Sequence, residues 1–278
     1  MGNEMKVLEK SQPVPMASGG HSVARVLERW SSLLLVIALV LVWEATVRFF
    51  DVPRFLLPTP SEIVRLAIDE WSMIQMHTIA TIWSILTGYA AAVTFALAVS
   101  ALMIRFPLVE RLIMPIFVGL QSVPKIAIAP LILVWVGAGI GSKILVVMSI
   151  TFFPIVINTM AGFKEVDRGL ADVFRSVAAT ERQMLMQLRL PYAVPYIFAG
   201  LRIGTTLAVL GAIVAEWLAA SNGLGYLVLS GSFNFNTARS FAAIIMLAII
   251  GMTFFNGMSW LERKFSWRTG INDSTSQV

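Results

Sequence analysis

The sequence predicts an all-α membrane protein with six transmembrane helices and cytoplasmic N and C termini. Three observations carry that reading. Hydrophobic residues make up 57% of the 278 and charged residues only 13%, about half the charged share usual in a soluble domain. The apolar residues fall in long windows almost free of charge, of the length that crosses a hydrocarbon core about 30 Å thick. Lys and Arg are shared very unevenly between alternate loops.

The elements follow in order. Residues 1–30 are polar and mixed, read as a cytoplasmic tail ending in an amphipathic turn around Val23–Trp30. No apolar run with a cleavage site precedes residue 30, which argues against a secretory signal. SSLLLVIALVLVWEATVRFF at 31–50 is the first span. Pro53, Pro58 and Pro60 then break the chain, and Ser61 is the expected cap of a short interfacial helix whose Ile63, Leu66, Ala67 and Trp71 share a face. The second span covers 77–104 and stops at Arg105-Phe106-Pro107. The third covers 109–136 and is interrupted by Pro115, Pro124 and Pro130. After a tight turn at 137–141 the fourth span runs over 144–162. The fifth covers 194–219, a loop bearing Gly and Asn fills 220–238, and the sixth covers 240–260. The domain layout is therefore a tail at 1–30, a six-helix transmembrane domain at 31–261 with a cytoplasmic loop at 163–191, and a polar tail at 262–278.

Six spans put both termini on one side. Fourteen Lys and Arg lie in the two tails, the turn after span two and the 163–191 loop, against five in or beside the opposite loops. The positive-inside rule makes the richer side cytoplasmic and the chain a multi-pass membrane protein. The net charge of +5 reports this topology. Basic stripes with interleaved aromatics, the mark of nucleic-acid binding, are absent. With no cysteine and only His21 and His77, neither a thiolate site nor a histidine-built metal site is expected.

The 163–191 loop reads as two short helices, one over Asp172, Val173, Phe174, Arg175, Val177, Ala178 and Ala179, the second over Glu181–Leu190 up to Pro191. Such a pair is either a charged connector or a handle for a soluble partner. Leu188-Arg189-Leu190-Pro191, with Ala178 at a glycine position and Asp172-Val173-Phe174 upstream, is similar in spacing to the cytoplasmic loop of ABC importer permeases. Gln121-Ser-Val-Pro-Lys-Ile-Ala-Ile-Ala-Pro-Leu-Ile-Leu-Val-Trp-Val-Gly137, Ala215-Glu-Trp-Leu-Ala-Ala-Ser-Asn-Gly-Leu-Gly-Tyr226 and Leu57-Pro-Thr-Pro-Ser-Glu62 resemble the nitrate, sulfonate and taurine importer permeases. The resemblance covers roughly residues 30–265.

That resemblance implies a type I ABC importer permease fold. It implies a second copy of the chain, two cytoplasmic ATPase subunits and a periplasmic or lipid-anchored substrate-binding protein as partners. The helix from Asp172 to Ala179 would dock on the ATPase. The chain itself is expected to be no enzyme and to bind no cofactor, ATP and Mg belonging to the partner ATPase; no G-x-x-x-x-G-K-[ST] occurs in it. A small anionic solute is the expected cargo.

Glu44, Lys125, Arg202 and Glu216 lie within the spans, where a charge needs a partner, a cavity or an interface. Glu44 and Glu216 are near outer ends and Arg202 is within snorkelling reach of the cytoplasmic face. Lys125 lies mid-span beside Pro124. It is either a cationic attractor with Gln121, Ser122 and Glu216 along a translocation path, or a structural Lys that pairs with Glu44 or Glu216 or caps a broken helix. A secondary transporter or channel is the rival class; it would need no ATPase and often shows an inverted repeat, which this sequence lacks.

Overall fold

The computed structural model describes residues 20–219 and 221–266 and is all-helical over them. The outer parts of the two tails lie outside the described residues. The chain divides into two units, Met1–Val52 and Pro53–Val278. The first contributes one helix, α1 (Gly20–Phe49), whose residues 34–42 are exposed apolar side chains. The amphipathic turn expected at 23–30 is simply the start of that helix.

The second unit opens on α2 (Pro60–Asp69). Its cap is Thr59, two residues before Ser61. Thr59 Oγ1 accepts the Glu62 N–H at 3.2 Å and the Glu62 carboxylate accepts the Thr59 N–H at 3.2 Å. This Thr-x-x-Glu capping box, with Pro60 at the first helical position where no N–H is needed, fixes the start. Ile63 is buried as expected, while Trp71 belongs to the next helix.

Among the described residues, four helices are long and apolar enough to cross a membrane. They are α3 (Trp71–Arg105), α6 (Ile140–Lys164), the helix running from Glu181 to Leu218, and α11 (Thr237–Ser266). The stretch 109–136 is a fifth only as a broken pair, α4 (Pro107–Gln121) and α5 (Lys125–Val136), bent by 102°. Phe106 ends α3 in extended backbone because the residue before proline is driven out of the helical region. Val123-Pro124 repeats the device between α4 and α5, whereas Pro115 and Pro130 remain inside their helices.

The expected second loop helix does not stop at Pro191. Thr180 and Gln183 form a capping box for α8 (Glu181–Gln183), which passes through a π-helical turn at Met184–Arg189 into α9 (Leu190–Ala219). The wider turn, with Leu190 N–H reaching Leu185 O, relieves the clash a proline ring makes with the carbonyl four residues back. The first loop helix, α7, spans Arg168–Ser176 with Asp167 as its cap. It therefore starts before Asp172 and excludes Val177, Ala178 and Ala179, which form the turn after it. Ala178 stands at φ +54°. Its N–H donates to Arg175 O at 3.0 Å and the Ala179 N–H to Phe174 O at 3.0 Å, a Schellman stop that ordinarily takes glycine. Ala178→Gly is expected to stabilise this turn by about 1 kcal/mol, read as slower hydrogen exchange at Ala178 and Ala179.

The core of the unit is the α3–α6–α9 contact. Gly88 meets Val147, Gly162 meets Tyr196, and Gly211 lies against the Val147 backbone, each so close that a Cβ would fall within 2.5–2.9 Å of its neighbour. Gly200 and Gly204 serve the same end, close helix packing. Gly119 does not: nothing lies within 4 Å of the place its Cβ would take. The 220–238 stretch, expected as a loop, contains α10 (Leu224–Phe233) with Leu224, Gly225, Leu227 and Gly231 buried.

Candidate functional site

The residues singled out from the sequence fall into three places. Gln121, Ser122 and Lys125 meet at the α4–α5 break, the first two exposed and Lys125 half-buried. Lys125 Nζ donates to Gln121 O at 3.3 Å and lies 5.3 Å from the centre of the Phe153 ring. The ammonium thus faces the carbonyl end of α4, where a cation is favoured by the helix dipole. Of the structural alternatives, pairing with Glu216 is not seen, and the ammonium instead caps the broken helix at Gln121 O. Arg202 pairs with Glu262 at 3.2 Å.

Glu216 is 1% exposed, which corrects the expectation that, from near an outer end, it reaches the interface. Its two oxygens accept Thr81 Oγ1 at 2.8 and 3.1 Å, and one of them also accepts the Gly225 N–H at 2.8 Å. Around it, the Leu224 N–H donates to Thr81 Oγ1 at 2.7 Å and the Gly223 N–H to His77 Nδ1 at 2.9 Å. Lys143, 7% exposed, donates to Asn222 Oδ1 at 2.8 Å. His77, Thr81 and Lys143 were not expected here. Lys143 was read as a loop cation, though it begins an apolar helix and a buried cation needs an oxygen partner. The glycines at 223 and 225 were the available signal. A Cβ at Gly223 would fall 2.2 Å from Glu216 Cδ, and Gly223 takes φ +113°.

The third place is α7 and the turn behind it. Leu170, Val173 and Val177, spaced three and four apart, are 39%, 58% and 72% exposed and lie on one face. Asp172 and Arg175 pair at 2.7 Å on the flank. Phe174 and Ala179 are half-buried and Ala178 is exposed. Beneath α7 a cleft of about 520 Å³ is lined by Glu110, Lys164, Asp172, Arg175 and Arg189. Lys164 and Glu110 pair across it at 2.6 Å. Asp167 N-caps the helix and the Schellman turn closes it, so a nine-residue helix is held at both ends with its apolar face outward. No group of acids and histidines suited to a metal occurs among the described residues.

Comparison with known proteins shows the family of the chain. Residues 84–267 match the family described as binding-protein-dependent transport system inner membrane component. The chain is 37% identical over 237 residues to the formylaminopyrimidine transport permease protein ThiX of Halalkalibacterium halodurans, covering 84% of this chain and 94% of that one. It is 35% identical to the riboflavin transport system permease protein RibX of Chloroflexus aurantiacus (84% and 89% covered). It is 30% identical to the taurine transport system permease protein TauC of Escherichia coli (82% and 86% covered). A crystal structure of an amino acid ABC transporter with histidines superposes with a TM-score of 0.55 at 18% identity, covering 73% of this chain and 97% of that chain. The chain belongs to the binding-protein-dependent transport system inner membrane components: it is a multi-pass inner-membrane permease of an ABC importer, and not itself the catalytic subunit.

Proposed function

We propose that this permease forms the path for a small polar solute handed over by an outer binding protein, and that cytoplasmic ATPase subunits drive it through α7. The observation that carries the reading is the exposed apolar face of a doubly capped α7 beside a charged cleft. An apolar stripe this size outside the spans needs a partner to cover it. Val173, Phe174, Arg175, Val177, Ala178 and Ala179, with Asp172, are the contacts assigned to the ATPase. The reading takes six spans, α1 counted first and the α4–α5 pair third, with both termini cytoplasmic and a second copy of the chain completing the path.

The relatives' names span formylaminopyrimidine, riboflavin and taurine. A solute resembling taurine or a sulfonate suits the exposed Gln121 and Ser122 and the cation Lys125 at the helix break, where a bend opens backbone and side chains toward a cavity. Lys125→Met is expected to lower uptake of an anionic solute about tenfold, a single charge-assisted hydrogen bond's worth, without loss of ATPase binding. Equal uptake by the variant would assign Lys125 to capping α4 alone. Co-purification tests the main reading. The tagged chain, co-expressed with its ATPase subunits, is expected to hold them; a chain that purifies alone and moves solute without ATP would instead be a secondary transporter.

A further inference from the structure

Three consecutive N–H groups open α10, those of Gly223, Leu224 and Gly225, and side chains of two other helices take all three. His77 and Thr81 come from α3 and Glu216 from α9. Helix N-termini that lack a cap attract anions, and a half-helix ending inside a membrane protein is a place where an anionic solute would bind. Here that end is already filled by the chain's own carboxylate. Thr81 links the two halves, donating to Glu216 while accepting from Leu224. Glycine is required at 223, where φ is +113° and a Cβ would fall 2.2 Å from Glu216 Cδ, and a Cβ at Gly225 would press on Glu216 Cβ at 3.0 Å.

We infer that Glu216 and Thr81 are positioning residues that fasten α10 to α3 and α9, so that α10 stays seated through the transport cycle and its N-terminus receives no solute. Lys143 strengthens the clasp by holding Asn222, the residue before Gly223. The far end of α10 is fixed as well: Gly231 lies against Ser240 of α11, and Ser240 Oγ donates to Val228 O at 2.8 Å. Movement is left to the α4–α5 break, where a single ammonium-to-carbonyl bond spans the bend. The transport half of this inference rests on the permease reading above.

Because the chain has no cysteine, Leu227→Cys places a single thiol on α10 at a site 2% exposed. In the complex with ATPase subunits and binding protein, its reaction with a water-soluble maleimide is expected to be slow and equal at rest and during ATP turnover. Adding Thr81→Val should speed labelling by about tenfold or more, since one buried acceptor and one donor are lost together. Thr81→Ser, which keeps the hydroxyl, should stay within about twofold of the parent because no buried group loses its partner. Glu216→Gln, a milder change that keeps one acceptor for Gly225, should fall between them and stands in if the valine variant fails to assemble. Faster labelling of Leu227→Cys during turnover would overturn the inference, as would unchanged protection in both Thr81→Val and Glu216→Gln. Labelling that follows this pattern in a chain showing no ATP-driven uptake would keep the clasp and refute the permease reading.

Discussion

Val173→Asp combined with Val177→Asp is expected to abolish capture of the ATPase subunits while the permease still folds and inserts. Both side chains are largely exposed, at 58% and 72%, so exchanging them removes little packing within the chain. In the complex each would bury an unpaired carboxylate against an apolar partner surface. Hot-spot losses of about 2 kcal/mol per position make the combined weakening at least about 100-fold. Arg175→Ala should do much less, because its ion pair with Asp172 is exposed at 64% and 70% and such pairs contribute about 0–1 kcal/mol. Co-purification scored beside size-exclusion profiles of the free chain separates lost binding from lost folding. Retained ATPase binding by the double variant would remove α7 from the coupling role.

Gly88→Val is expected to prevent the chain from accumulating. A Cβ alone at residue 88 would lie 2.5 Å from Val147 Cβ and 2.7 Å from Val147 Cγ1, and the two further methyls of valine have no space between α3 and α6. Overpacking of a tight core costs about 1–3 kcal/mol or more, which is a large share of the stability of a marginal protein. The contact predicts its own rescue. Gly88→Ala should be severe alone and substantially restored by Val147→Gly, with a coupling energy of about 1–3 kcal/mol in a double-mutant cycle. Gly119→Ala is the control. It faces open space and trades glycine for the best helix former, so it should leave abundance unchanged or raise it. Yields of detergent-solubilised, monodisperse protein measure all five variants, the Val147→Gly single included.

The membrane character was legible because it rests on additive composition: the apolar windows over α3, α6, α9 and α11 would read the same in any order of packing. Breaks were harder. Pro115, Pro124 and Pro130 carry the same local signal, yet only Pro124 separates two helices, since whether a membrane helix tolerates proline depends on what neighbours supply to its freed carbonyl. Pro191 was misread for the same reason, the π-helical turn before it being a tertiary accommodation.

The candidate residues divide along that line too. Thr59 and Glu62 spell a capping box that sequence alone contains, so placing the cap at Ser61 was avoidable. The largely apolar ten-residue run of α10 was also visible, but too short to register as a span and embedded among Gly, Ser and Asn. The role of Glu216 was not visible. Its partners Thr81 and Gly225 lie 135 and nine residues away, and only packing of α3 beside α9 shows that the carboxylate is satisfied within the chain. Lys125, four residues from Gln121, needed nothing beyond the break itself to find its carbonyl.

Uptake by proteoliposomes tests the central claim most directly. The chain is reconstituted with its ATPase subunits, binding protein and labelled solute are supplied on the outer face, and ATP is enclosed or omitted. Solute accumulation that requires ATP, the ATPase subunits and the binding protein together is the predicted result. Accumulation by the chain alone, without ATP, would contradict the account.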